Sequence, residues 1–474
     1  MVDLSRAFVG GRWLATTHSF LVRNPATGDA ILDVADCGED EATQAVTESM
    51  AAFSVWKKET AYERGRVLSE WNRLIRDHQD ALARVMTSEM GKPIRESRGE
   101  VIYAAGFVEW YAHEATRVYG HTIPSQFSHK RLFVQKQPLG PVVAITPWNF
   151  PAAMITRKAA PALAAGCTVI LKPAEQSPMT ALYLARLWEE AGGPPGTLQV
   201  LPTSDPQVVG QILMKDSRIR KLTFTGSTGV GKALYKSSSD TLKRISLELG
   251  GHAPFIVFED ADLDKVIPEV MACKFRNGGQ TCVCTNRIYV QERVQTAFVD
   301  KFTKSVQTLT LGDPLDTRTD IGPLINHEGL MKVEEHVSDA VNQGAGLILG
   351  GKRHGGLYYE PTVLMNVPQR ARILREETFG PIAPIVSFAD DADAVQMAND
   401  TEYGLAAYLW TRDLSRAFRV SEALNFGVIG VNDGVPSTPQ APFGGVKNSG
   451  LGREGGTWGI EEYLDIKYIS MALE

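Results

Sequence analysis

From Pro141 onward, short β-rich runs alternate with helical stretches, and that alternation restricts the fold more than any other feature of the chain. The runs are Val142–Thr146, Thr168–Lys172, Leu198–Leu201, Lys221–Thr225 and Ile245–Leu249. Helix candidates such as Ala152–Ala165, Thr180–Ala191 and Val230–Ser237 lie between them. Continuous apolar strands alternating with helices predict an α/β fold built on a parallel, doubly wound sheet. Pro151 is expected in a first helical turn, where its missing N–H costs nothing. A second α/β unit follows, with strand candidates Phe255–Phe258, Arg287–Val290, Ala406–Leu409 and Gly427–Val431. The stretch from Asp40 to Gly120 reads as largely helical by its apolar spacing. Two further pieces, Arg131–Gln137 and Tyr463–Ile469, alternate apolar and polar residues. Such a pair presents an edge that must be covered, either by a partner or by an ordinary surface sheet within one chain.

A chain of 474 residues is too long for one ordinary core, so two or more domains are expected. The formal net charge of −6, without a basic block, argues against a nucleic-acid partner. The N-terminal residues Met1-Val2-Asp3-Leu4-Ser5 lack a basic segment leading into an apolar one, so no secretory signal is visible. The most apolar run, Ala159 to Leu171, is short and carries Pro161 and Gly166, which reads as core rather than membrane span. Five cysteines, an odd count in a long chain, do not make a disulfide framework. A soluble, cytoplasmic protein is expected.

Chemistry concentrates in Asn277-Gly278-Gly279-Gln280-Thr281-Cys282, where a thiol follows a turn of glycines and amides, with Cys284 two residues later. A cysteine is a useful nucleophile only as the thiolate, so it needs access and nearby donors or positive charge. Read alone, the C-x-C is equally compatible with half a metal site or with two inert loop cysteines. Three other segments narrow the choice: Ile145-Thr146-Pro147-Trp148-Asn149-Phe150-Pro151, Phe224-Thr225-Gly226-Ser227, and Leu247-Glu248-Leu249-Gly250-Gly251. In this order and spacing the four segments resemble the NAD(P)-dependent aldehyde dehydrogenase superfamily. The resemblance runs from Phe8-Val9-Gly10-Gly11-Arg12-Trp13 through Glu376-Glu377-Thr378-Phe379-Gly380-Pro381 to Pro442-Phe443-Gly444-Gly445.

That resemblance implies an aldehyde-dehydrogenase-like arrangement of three units. Residues 1–120 and 140–249 would form a Rossmann-type NAD-binding domain, and residues 250–445 a second, catalytic α/β domain. Residues 121–139 and 446–474 would form a small β oligomerisation element, giving a homodimer or homotetramer. It implies Cys282 as nucleophile and Asn149, with the Cys282 backbone N–H, as oxyanion donors. Preorganised neutral donors suffice for that role in a poorly hydrated site. Glu248 would activate the hydrolytic water.

For the cofactor, Gly226-Ser227-Thr228-Gly229-Val230-Gly231 follows a strand and opens a helix, so its amides suit a pyrophosphate, although the spacing is not the ordinary dinucleotide fingerprint. Gly226, Ser227, Val230 and Leu249 are therefore expected around the cofactor, together with Thr146, Pro147 and Trp148. Lys172, Pro173, Ala174 and Glu175 would reach the adenosine ribose, and Glu377 and Phe379 the nicotinamide end. Glu175 favours NAD, with NADP possible, because a 2′-phosphate would meet like charge there.

Arg157, Arg276 and Ser437 match the succinate-semialdehyde dehydrogenase branch. Two arginines suit a small aldehyde with a distal carboxylate, which guanidinium binds bidentately. Glutarate semialdehyde, one methylene longer, is the close alternative, and a broad-specificity aliphatic aldehyde dehydrogenase the next. A cysteine hydrolase lacks a well-placed histidine beside Cys282, and a coenzyme-A-acylating dehydrogenase would not need Glu248. Cys284 is a redox candidate for pairing with Cys282 if the loop rearranges. No metal site is expected. His252 departs from the lysine or asparagine more usual after the paired glycines, and the sequence assigns it no function.

Overall fold

A computed structural model describes residues 3–473, so Met1 and Val2 of the N-terminal stretch and Glu474 of the third unit lie outside the description. The first sheet has a parallel core in the spatial order Arg244–Glu248, Lys221–Thr225, Pro141–Ile145, Thr168–Lys172, Leu198–Val200. The order reverses at Pro141–Ile145, and in such sheets ligands sit beyond the carboxyl ends of the strands at that reversal. Antiparallel pieces that the sequence pattern did not signal close both edges: Gly450–Leu451 beside Arg244–Glu248, and Ala7–Val9 with Arg12–Leu14 beyond Leu198–Val200. The second sheet runs Gly346–Leu349, Thr362–Met365, Ile382–Phe388, Thr285–Gln291, Ala253–Val257, Ala406–Trp410, Val428–Val431, parallel except at its first strand.

The helical N-terminal stretch resolves into Glu39–Trp56, Ala61–Asp77, Gln79–Met90 and Ile94–Glu114. Two of its carboxylates cap helices of the first sheet in the same way. Pro151 opens the helix Pro151–Ala165, and Glu100 accepts from the next two amides, Ala152 N at 2.9 Å and Ala153 N at 3.2 Å. Pro178 opens Pro178–Glu190, and Glu89 accepts from Met179 N at 2.8 Å and Thr180 N at 2.9 Å. Proline at the first position removes one orphan amide, and the buried carboxylate satisfies the following two. The loops just ahead of these helices carry Asn149 and Glu175, so the caps also hold candidate site residues in place.

Lys130–Pro138 pairs antiparallel with both Leu464–Ala472 and His121–Ile123. Its partner strand exposes Ile466, Tyr468 and Met471. No helix among the described residues is long and apolar enough to cross a membrane.

Candidate active site

The carboxyl ends of the first sheet meet the amino ends of the second. Asn149 and Glu248 end or follow strands of the first sheet, whereas Cys282 and Phe379 immediately precede strands of the second. Gly250 and Gly251 bridge the two sheets. A Cβ on Gly251 would stand 2.2 Å from the Cys282 carbonyl oxygen, so only glycine lets the two backbones touch. Gly251 N also donates to Glu377 Oε1 at 2.9 Å, tying the junction to the loop that carries Phe379.

Left-handed backbone shapes the thiol turn. Asn277, Gly278 and Gly279 have φ of 52°, 60° and 75°, a conformation glycine and asparagine adopt with least strain. The five cysteines are all free, and Cys282 alone is not fully buried. Burial nonetheless pushes its thiol up to about 12, against the lowering influence of Arg157 and Arg276. That shift favours the thiol, and a thiol must lose its proton before it can serve as a nucleophile. Cys284 is buried and accepts from Lys274 Nζ at 3.3 Å.

Asn149 is buried, with its side chain held from both ends. Its Oδ1 accepts from Phe150 N at 3.1 Å, and its Nδ2 donates to Gln280 O at 3.1 Å, facing the thiol turn. Glu248 is buried with neither carboxylate oxygen hydrogen-bonded. Burial, reinforced by the nearby Glu454 carboxylate, holds its pKa well above the usual range, so in this position it is the protonated acid.

Around the first-sheet loops, Thr146 N bonds to Lys172 O at 3.2 Å, joining two segments expected at the cofactor. Lys172 and Glu175 pair at 3.2 Å across the turn that contains Pro173 and Ala174. Gly226 N bonds to Glu248 O at 3.0 Å, and Ser227 caps the helix Thr228–Ser237 by accepting from Val230 N at 3.4 Å. Leu249 supports that helix where Gly231 gives it room: a Cβ there would meet the leucine side chain at 2.3 Å. Trp148, next to Pro147, meets Phe379 edge-on at 5.6 Å, and Phe379 itself has a left-handed φ of 59°. Burial raises Glu377 to about 7. Thr146 Oγ1, Gln176 Oε1 and Ser177 Oγ, in the loops after two neighbouring strands of the first sheet, are buried without protein partners and leave hydrogen-bonding capacity for a polar ligand. The donor and acceptor set fits a nicotinamide dinucleotide.

Arg157 and Arg276 both lie close to Cys282, but they differ in surroundings. Arg157 is ion-paired, its Nη2 lying 2.9 Å from Glu454 Oε2, and its guanidinium stacks over Phe443 at 4.1 Å, while its Nε is buried without a partner. Arg276 lies 5.4 Å from the centre of the Phe150 ring and keeps a buried Nε without a partner. Ser437 lies beside Tyr103, whose hydroxyl also feels Arg157, Arg276 and Cys282. Sequence reasoning missed Tyr103, which arrives from the helix Ile94–Glu114 with no motif to announce it. It also missed Glu454, which Lys158 and Arg157 hold ionised against burial. Glu454 ends the Gly450-Leu451-Gly452-Arg453-Glu454 run, and a glutamate so close to Gly444-Gly445 was the available signal. His252 is buried in the second sheet, with Nε2 3.1 Å from Ile373 O, a bonding role within the core.

Fold and site together define an oxidoreductase of aldehydes that works with a nicotinamide dinucleotide. Residues 13–469 match the model of the Aldehyde dehydrogenase family, and the chain belongs to that family. It is 52% identical to the NADP(+) succinate-semialdehyde dehydrogenase of Escherichia coli K12, over 99% of this chain and 98% of that one. It is 51% identical to the glutarate-semialdehyde dehydrogenase of Pseudomonas putida KT2440, over 99% and 98% of the two chains. Its fold superposes with a TM-score of 0.98 on a crystal structure described as an E. coli NADP-dependent enzyme, at 52% identity and covering 99% and 98% of the two chains.

Proposed function

We propose that this aldehyde dehydrogenase oxidises succinate semialdehyde to succinate, with NAD as the preferred acceptor. The observation that carries the reading is the pair of guanidinium groups beside Cys282, each with a buried N–H that no protein group accepts. A distal carboxylate is the group such a site completes, because it satisfies Arg276 and Tyr103–Ser437 together. Arg157, already paired with Glu454, adds positive potential and a rigid wall. The relatives described above, acting on succinate and glutarate semialdehydes, support an aldehyde of this kind. Glutarate semialdehyde remains the second reading, since one methylene is weakly discriminated.

In the reaction, Glu248 leaves its buried resting position and ionises, and Cys282 gives up its thiol proton to that carboxylate and through it to solvent. The sulfur attacks the aldehyde carbon while the Asn149 amide and Cys282 N–H hold the resulting oxyanion. When bound, the nicotinamide supplies the two-electron acceptor. The ionised Glu248 then takes a proton from the water that hydrolyses the Cys282 thioester. Glu175 accepts hydrogen bonds from ribose hydroxyls and repels a 2′-phosphate, while Lys172 tempers that repulsion. The division into units at 1–120 with 140–249, 250–445, and 121–139 with 446–474 belongs to the same reading, as does a cytoplasmic location. So does a homodimer or homotetramer formed through the exposed strand bearing Ile466, Tyr468 and Met471. A kinetic panel of C4 and C5 semialdehydes against uncharged aldehydes of equal length, each with NAD and NADP, tests it. Equal kcat/KM for charged and uncharged aldehydes would refute the carboxylate reading.

A further inference from the structure

We propose that Lys92 is a positioning residue for the oxyanion donor, clamping the Asn149 carbonyl so that the Asn149 amide faces the thiol turn. The inference rests on Asn149 acting as that donor. Lys92 lies between the helices Gln79–Met90 and Ile94–Glu114, far from any motif of the site. Its side chain is fully buried and ion-paired with the equally buried Glu100. A buried ion pair contributes little net stability over an apolar pair of similar size, so stability alone explains it poorly.

The contacts of the pair converge on one short segment. Lys92 Nζ donates to Asn149 O at 2.8 Å and lies 3.7 Å from the centre of the Phe150 ring. Glu100 Oε1 accepts from Ala152 N and Ala153 N. The two side chains therefore grip the backbone on both sides of Pro151, and the Asn149 side chain projects from the gripped segment. The same Asn149 carbonyl accepts from Asn277 Nδ2 at 3.1 Å, and Asn277 Nδ2 also reaches Gln280 O at 3.2 Å. Asn277 N in turn donates to Glu96 Oε2 at 2.7 Å, on the helix that bears Glu100. The Asn149 carbonyl is thus the node at which the N-terminal helices, the oxyanion loop and the turn bearing Cys282 are joined. Displacing that node changes the distance between the Asn149 amide and the Cys282 sulfur without touching either group.

A misplacement near 1 Å costs about 10²-fold in rate, and an oxyanion donor is worth about 10²- to 10³-fold. We therefore expect Lys92→Met to lower kcat by ~10- to 100-fold while aldehyde KM stays within about two-fold, and Lys92→Arg to recover most of the loss. The decisive comparison places Lys92→Met in an Asn149→Ala background, with thermal unfolding followed for every variant. If Lys92 acts through Asn149, the double variant is no slower than Asn149→Ala alone. Lys92→Met/Glu100→Gln leaves no unpaired buried charge and decides the matter should Lys92→Met fold poorly. Parental kcat in that folded double variant, or losses that multiply in Lys92→Met/Asn149→Ala, would overturn the inference. Parental kcat in Asn149→Ala would instead overturn the oxyanion assignment on which it stands.

Discussion

Arg276→Ala separates substrate recognition from general damage, because the structure gives the two arginines different obligations. Arg276 has a buried Nε with no protein partner, so its removal leaves no protein group newly unpaired through that atom. A hydrogen bond to a charged group is worth about 1.5–3 kcal/mol. At about 1.4 kcal/mol per decade, the change should lower kcat/KM for succinate semialdehyde about 10- to 150-fold. Butanal has no distal charge, and its kcat/KM should stay within about two-fold. Arg157→Ala should behave otherwise. It strips Glu454 of its partner at 2.9 Å, leaving Lys158, which also donates to Thr225, to carry a buried carboxylate. Breaking a buried pair from one side costs about 3–5 kcal/mol, so lower thermal stability and losses on both aldehydes are expected. The assay is initial-rate kinetics on the paired aldehydes for both variants, with thermal unfolding alongside. An equal loss on butanal in Arg276→Ala, with unfolding unchanged, would mean that Arg276 shapes the site rather than reads the carboxylate.

Gly251→Ala should reduce kcat by about 10²-fold while cofactor binding, followed by fluorescence quenching, survives; its Cβ would meet the Cys282 carbonyl oxygen at 2.2 Å and displace the thiol. Iodoacetamide alkylation of Cys282 in the free enzyme should accelerate with each unit of pH up to pH ~10, since burial pushes the thiol to about 12; a plateau near neutrality would refute this. Glu175→Ser should move the kcat/KM ratio toward NADP, and a parent that already favours NADP would sink the assignment of Glu175. Peroxide should inactivate the enzyme and dithiothreitol restore it through Cys282–Cys284, a pairing that must first break the Lys274–Cys284 contact; identical behaviour in Cys284→Ala would dismiss the pair.

Much of the site was legible because its chemistry depends on local backbone. The left-handed turn at Asn277-Gly278-Gly279 and the contact at Gly251 both demand residues of a particular shape, and those residues stand in the sequence as motifs. The strands of the first parallel sheet were legible for a similar reason: Thr168–Lys172 and Lys221–Thr225 are buried along their whole length and contain no competing pattern. Ile382–Phe388 was not, although it is central in the second sheet, because Pro384 interrupts its reading as a strand. Ala7–Val9 and Gly450–Leu451 are too short to carry any periodicity, and their places are set by the strands they edge.

By itself, then, the sequence determined the parallel α/β core, the thiol, the carboxylate and amide expected to serve it, and the glycines that let them meet. Only the tertiary structure decided which groups surround them. Lys92, Glu100, Tyr103 and Glu454 come from segments whose own patterns are those of ordinary helices and loops, and their roles exist only once packing brings them against Asn149, Arg157 and Ser437. Tertiary packing also sets the direction of the pKa shifts, burial pushing up both the Cys282 thiol and the Glu248 carboxyl. The physical reason is common to both. Periodicity and turn chemistry are written over a few neighbouring residues, whereas desolvation and charge pairing depend on every element that closes over a site.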